Sequence, residues 1–65
     1  MNWDIIEGKW DQLKAKLREK WGKLTDDDLE SVKGKRDLLI GKIHEHYGEA
    51  KDRVGKSVDD MIAAL

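Results

Sequence analysis

The side chains best suited to metal or acid–base chemistry in this chain are its two histidines, His44 and His46. Residues two apart on a helix do not face each other, and a zinc-binding pair on one helix face is spaced four apart. The positions four beyond these histidines hold Gly48 and Ala50, which offer no ligand. The spacing therefore predicts two solvent-exposed histidines and no metal site.

Three consecutive aspartates, residues 26–28, form a second group with metal-binding chemistry. A calcium loop of the EF-hand type needs alternating oxygen ligands, a glycine and a distal glutamate, and this run has none of that pattern. The run follows Thr25, and a threonine followed three residues later by an acid resembles a capping box. We interpret the aspartates as the start of a helix, matched to the positive end of its dipole.

Basic residues gather in one segment, where contact with phosphates is the chemistry they could perform. Residues 8–24 hold six lysines and arginines against two acids, whereas residues 25–33 carry an acidic excess. Residues 32–35 also faintly resemble the turn of a helix-hairpin-helix DNA module, although many helical joints contain such a glycine. The candidate nucleic-acid contacts are Lys14, Arg18, Lys20, Lys33, Gly34 and Lys35. The alternative interpretation is a solvated face whose charges pair locally with an acidic second helix.

Composition argues against several classes of function. The chain has 65 residues, enough for a single domain over residues 1–65, and its net charge of −1 lacks the basic excess typical of nucleic-acid binders. It contains no Ser/His/Asp arrangement, no phosphate-binding glycine loop and no nucleotide fingerprint. So short a chain also has little room for an enclosed substrate pocket. We therefore expect a non-enzymatic protein with no catalytic residues and no cofactor.

The absence of cysteines and of long apolar runs predicts the location of the protein. There is no cysteine to form disulfides, so a reducing cytoplasm is the expected compartment. No apolar run approaches the roughly 20 residues of a membrane span, and the first residues lack the pattern of a signal peptide. We expect a soluble cytoplasmic monomer that does not bind membranes, with its partner unknown.

The candidate residues should lie on or next to helices, because apolar residues recur at helical spacing along the chain. Within residues 3–21 they lie three or four apart and fall within roughly 80° of a helical wheel. They are Trp3, Ile6, Trp10, Leu13, Leu17 and Trp21. The pattern predicts one amphipathic helix that buries the tryptophans, with a looser first turn at Gly8 and a left-handed cap at Gly22.

Three further helices are predicted from the same kind of pattern. A short helix should cover residues 26–32 and end at Gly34, and a longer one should cover about residues 35–46 with its cap at Gly48. The last helix should carry the apolar residues between positions 50 and 65. Gly55 lies in its interior, where we expect either a close-packing point or a weak spot. Ile5 and Leu38 fall outside the apolar stripes and should be exposed.

A partial repeat relates the two halves of the chain. Shifting the sequence by 26 residues superimposes residues 8–22 on residues 34–48, with matching glycine, lysine, aspartate and aromatic positions. Each unit consists of an amphipathic helix followed by a more acidic one. We therefore predict an all-α fold, a small four-helix bundle of two packed helical hairpins.

The repeated motifs also carry a family resemblance, which extends over about residues 2–58. They are Gly8-Lys9-Trp10, Glu19-Lys20-Trp21-Gly22-Lys23-Leu24-Thr25-Asp26-Asp27-Asp28-Leu29, Gly34-Lys35-Arg36-Asp37, Gly41-Lys42-Ile43 and Tyr47-Gly48. Together they resemble the signature of the CsbD-like family. The resemblance implies a small bacterial cytoplasmic protein of the general stress response, with a helical fold and no known enzymatic activity. It implies no site residues.

One departure from this pattern leaves another interpretation open. Ala15 stands where the second repeat has Gly41, and where the resemblance leads us to expect glycine. The ending Met-Ile-Ala-Ala-Leu is also cleaner than is typical of the family. An engineered helical scaffold without a biological role is therefore an alternative to a stress-response protein.

Overall fold

The computed structural model describes residues 3–65, and Met1 and Asn2, where the predicted domain begins, lie outside the described residues. Its helices are α1 (Trp3–Gly8), α2 (Trp10–Lys20), α3 (Asp26–Ser31), α4 (Arg36–Tyr47) and α5 (Lys51–Ala63). No strand occurs within residues 3–65. The prediction of an all-α fold is confirmed.

The prediction of four helices is wrong, because the first predicted helix is broken between α1 and α2. Lys9 leaves the helical conformation, with φ −109° and ψ 19°. Its N–H bonds the carbonyl of Ile6, three residues back, at 3.0 Å. Gly8 precedes the break and has the low helix propensity of glycine, about 1 kcal/mol below alanine. The apolar stripe nevertheless continues across the break, since Ile6 and Trp10 are both buried.

The connection from α2 to α3 also differs from the prediction. Gly22 does not adopt a left-handed cap; the positive-φ residues within the described range are Gly34 and Gly48. Instead Trp21 ends α2 with φ −121° and ψ 77°, and its N–H bonds the carbonyl of Leu17. The Leu24 N–H then bonds the Trp21 carbonyl at 3.1 Å. Both Trp21 and Leu24 are buried, so the chain turns inward here to bury two large side chains.

The start of α3 confirms the predicted capping box. The Thr25 hydroxyl accepts a hydrogen bond from the Asp28 backbone N–H at 3.1 Å. The Asp28 carboxylate accepts one from the Thr25 N–H at 3.3 Å. Two N–H groups that the first helical turn leaves without partners are satisfied in this way. Helix α3 ends at Ser31, and Gly34 follows with φ 70°.

Helices α4 and α5 form a hairpin that Gly48 and Gly55 shape. Gly48 caps α4 in the left-handed conformation, at φ 68°, as predicted. Gly55 is buried, and a Cβ placed on it would lie 3.0 Å from Arg36 Nη2 and 3.4 Å from Ile40 Cδ1. The predicted close-packing point is therefore confirmed, and it lies between α4 and α5.

The core consists of apolar side chains from all five helices and from the connections next to α3. Its buried members are Ile6, Trp10, Leu13, Leu17, Trp21, Leu24, Leu29, Val32, Leu39, Ile40, Ile43, Val54, Val58 and Ile62. Trp3, Tyr47, Met61 and Leu65 are partly buried against them. No polar or charged residue is buried within residues 3–65. Ile5 and Leu38 are exposed, as predicted, at 54% and 51%.

The helices pack against one another around this core. Helix α4 packs along α5, α1 packs against α2, and α2 also contacts α5. The 26-residue repeat relates the sequences of the two halves and stays a prediction for their structures.

Candidate functional site

Two of the predicted nucleic-acid contacts, Lys14 and Arg18, form ion pairs with α3. Lys14 Nζ lies 3.1 Å from Glu30 Oε1, and Arg18 Nη1 lies 3.0 Å from Asp26 Oδ1. The hydrogen bond with Glu30 is the largest cause that raises the pKa of Lys14. The local pairing that the sequence left open is therefore present here. A phosphate that approached either side chain would have to compete with a carboxylate.

The turn of residues 33–35 also meets an acid. Gly34 has φ 70°, and the Lys35 N–H bonds the Val32 carbonyl at 2.9 Å. The Glu7 side chain of α1 lies against this turn, its Oε2 only 3.1 Å from the position of a Gly34 Cβ. A helix-hairpin-helix turn presents backbone N–H groups to a phosphate, and a carboxylate at that surface repels one. Lys33 and Lys35 have no ion-pair partner within the described range.

Lys20 is the last residue of α2. Its Nζ sits over the Trp21 ring at 5.4 Å from the centroid, and its side chain lines a groove between α2 and α5. The pairs Lys14–Glu30 and Arg18–Asp26 show that α2 and α3 run in opposite directions where they meet. Nucleic-acid contact through the six predicted residues stays a prediction.

The structure reveals one charged cluster that the sequence analysis missed, centred on Asp28. Besides the capping bond, its carboxylate lies 3.1 Å from His46 Nε2 and 3.8 Å from Lys42 Nζ. The hydrogen bond from the Thr25 backbone N–H is the largest cause that lowers the pKa of Asp28, and His46 and Lys42 lower it further. Lys42 and His46 are four residues apart and share one face of α4, which is the sequence pattern that could have identified the cluster.

Both histidines are exposed, as predicted, and each has a partner. His44 Nδ1 lies 2.6 Å from the Glu49 carbonyl oxygen, at the end of α4. His46 contacts Asp28. Within residues 3–65 no group of three metal-ligand side chains lies together.

Two of the surface grooves within residues 3–65 are open to solvent. One runs between α2 and α5 and is lined by Lys16, Lys20, Ser57 and Met61 among others. The other runs along α4 and α5, beside Gly55 and the Arg36–Asp59 ion pair. Charges of both signs line each groove. Open walls of mixed charge do not suit the enclosure of a small apolar ligand.

None of the helices within residues 3–65 has the length and apolar character that a membrane span requires.

Comparison with known proteins places these features in a family. The model of the CsbD-like family matches residues 4–56. A UPF0337 protein of Rhodopseudomonas palustris is 55% identical over 65 residues, covering 100% of this chain and 98% of that protein.

Two further relatives agree with this match. The UPF0337 protein YjbJ of Escherichia coli K12 is 55% identical over 92% of this chain and 87% of its own length. A UPF0337 protein of Pseudomonas aeruginosa is 50% identical over 94% of each chain. The search of solved structures found no match. On the family match and on these identities, the chain belongs to the CsbD-like family.

Proposed function

We propose that the protein is a non-enzymatic, cytoplasmic stress-response protein that acts through its charged surface. The observation that carries this proposal is membership of the CsbD-like family over residues 4–56. The family resemblance implies a role in the general stress response of bacteria, and its UPF0337 relatives bear no enzymatic name.

The distribution of charge supports action through the surface. Charged residues make up 42% of the chain, yet the described core contains none of them. Ion pairs such as Lys14–Glu30 and Arg36–Asp59 join different helices across the surface. The desolvation penalty of ion pairs falls as temperature rises, so such pairs contribute more during heat stress than at 25 °C.

Induction and deletion in the host test the proposal. Protein abundance should rise when cells meet heat, osmotic shock or starvation, and a deletion strain should survive these stresses less well. Reintroducing the gene controls for effects on neighbouring genes. Constant abundance together with unimpaired survival would overturn the proposal, whereas a host genome that encodes this chain unchanged would exclude the engineered-scaffold interpretation.

A weak nucleic-acid-binding module is the second candidate, favoured by Lys20, Lys33 and Lys35, which have no ion-pair partner among the described residues. Its test is an NMR titration of labelled protein with short duplex and single-stranded DNA at low salt. Binding at the Gly34 turn should weaken with added salt and in a Lys33→Ala/Lys35→Ala variant. The matched control, Lys14→Ala/Arg18→Ala, removes paired charges and should change binding less. A spectrum that DNA does not shift would eliminate this candidate.

A further inference from the structure

Met61 combines a chemically reactive side chain with an accessible position. It lies near the end of α5, where its side chain is partly buried against the core. The same side chain lines the open groove between α2 and α5, beside Lys16, Lys20 and Ser57. The chain has two methionines and no cysteine, so thioethers are its only sulfur groups.

We propose that Met61 is an oxidation site, at which hydrogen peroxide converts the thioether into the sulfoxide while the protein stays folded. A sulfur lone pair attacks one peroxide oxygen, the S–O bond forms as the O–O bond breaks, and the second oxygen leaves as water after proton transfer. Sulfur loses two electrons and the peroxide gains them. The inference concerns the chemistry of this side chain and does not depend on the proposed stress role.

Access and the absence of thiols favour reaction at this side chain. Susceptibility to oxidation follows the exposure of the sulfur-bearing side chain. The α2–α5 groove is open to solvent, so a molecule as small as peroxide can enter it. Thiolates normally react first with peroxide. This chain has no thiol to divert the oxidant from Met61.

The surroundings of Met61 determine where the new oxygen atom goes. Val58 and Ile62 are buried core residues, so a sulfoxide oxygen turned toward them would lack a hydrogen-bond donor. The groove side is lined by Lys16, Lys20 and Ser57, which carry hydrogen-bond donors, together with Glu19 and Asp60. Oxidation should therefore turn the sulfoxide toward the groove and weaken the contact of Met61 with the core, without unfolding the domain.

Peptide mass spectrometry of protein treated with hydrogen peroxide measures the reaction directly. The rate of sulfoxide formation at Met61 is compared between folded protein and protein unfolded in guanidinium chloride. We expect the folded rate to lie within about tenfold of the unfolded rate, as for an accessible methionine. A folded rate slower by about 100-fold or more would show that the sulfur is shielded, and would overturn the proposal.

A matched variant links oxidation at this position to stability. Met61→Leu keeps the side-chain volume nearly constant and removes the sulfur. Peroxide treatment should lower the Tm of the wild-type protein by several degrees, with the helical circular dichroism retained at 25 °C, and should leave the Tm of Met61→Leu unchanged. An equal fall in both proteins would assign the effect to another residue and contradict the proposal. The rate comparison needs no variant, so it stands if Met61→Leu folds poorly.

Discussion

At the scale of single residues, Asp28 combines a capping role with contacts to a second helix. Its carboxylate caps the first turn of α3 and also contacts Lys42 and His46 on α4. One side chain thus helps both to start a short helix and to hold it against its neighbour. Six-residue helices such as α3 are unstable alone, so contacts of this kind determine whether α3 forms.

The pH dependence of stability should reflect this role. The Thr25 N–H, together with His46 and Lys42, lowers the pKa of Asp28 below its ordinary value of 3.8. A depressed carboxyl pKa stabilises the fold above the unfolded-state value, and the stabilisation is lost as pH falls through the folded-state value. Asp28→Asn should therefore be less stable than the wild type at pH 7, and the difference should shrink below about pH 4.

Urea denaturation at several pH values measures this difference, and Asp27→Asn is the matched control. Asp27 belongs to the same acidic turn but is exposed and takes no part in the capping box. Its substitution should change stability less than that of Asp28 at neutral pH. If the free energies of unfolding of Asp28→Asn and the wild type differ by a constant amount from pH 7 to pH 3, the proposed role of the Asp28 carboxylate would be contradicted.

At the scale of elements, two glycines of the α4 region should respond oppositely to the same substitution. Gly41 lies inside α4 with open space around the position of a Cβ, so Gly41→Ala should stabilise the protein by about 1 kcal/mol through helix propensity. Gly48 caps α4 at φ 68°, where alanine is strained. Gly48→Ala should therefore destabilise the protein by about 1 kcal/mol.

Thermal and chemical denaturation of both variants test this pair against the wild type. Each protein serves as the control for the other, because both lose a glycine and gain one methyl group on the same helix. Stabilisation by Gly48→Ala, or destabilisation by Gly41→Ala, would contradict the assigned bounds of α4.

The contact of α4 with α5 at Gly55 gives a third prediction. A Gly55→Ala methyl group would meet the end of the Arg36 side chain, which makes two hydrogen bonds to Asp59 at 3.0 Å. Alanine gains about 1 kcal/mol of helix propensity, while displacing a surface ion pair costs about 0–1 kcal/mol. The net change should be close to zero.

A double-mutant cycle with Arg36→Ala separates the two effects. In that background no guanidinium opposes the new methyl group, so Gly55→Ala should stabilise by about 1 kcal/mol. Destabilisation by more than about 2 kcal/mol in both backgrounds would mean that α4 and α5 themselves are pushed apart.

Prediction from sequence succeeded where one local pattern determined the outcome. The period of the apolar residues identifies the buried faces, and Thr25 with Asp28 identifies the start of α3. The break at Lys9 was missed because Ile6 and Trp10 keep the helical spacing across it. The sequences at Gly22 and Gly48 are alike, an aromatic followed by glycine, but only Gly48 adopts a left-handed cap.

The candidate site was predicted less well, because charge partners depend on how the helices pack. The residue types at positions 14, 18 and 34 suggest phosphate contact. The carboxylates that meet them come from α3 and α1, and their positions depend on tertiary structure. For the same reason the Asp28 cluster, which joins α3 to α4, was found only in the structure.

At the scale of the whole molecule, the small core limits the loss of stability that the fold tolerates. A domain of this length has a free energy of unfolding of only about 3–10 kcal/mol. Leu39 is fully buried, and truncating a buried leucine to alanine costs about 2–5 kcal/mol. Leu39→Ala should therefore lower the free energy of unfolding by about 2–5 kcal/mol, as measured by urea denaturation followed by circular dichroism.

Its neighbour Leu38 offers the matched control, being 51% exposed on the same helix. Leu38→Ala removes the same atoms and should change the free energy of unfolding by less than about 0.5 kcal/mol. Equal destabilisation by the two substitutions would contradict the orientation of α4.

We propose that the protein acts stoichiometrically through its surface and not as a catalyst. The most direct test is the survival of a stressed deletion strain as a function of protein amount, with the gene under a titratable promoter. The account predicts survival that rises in proportion to the amount of protein up to its native level. Full survival at a small fraction of that level, as a catalyst would give, or survival independent of the protein, would contradict it.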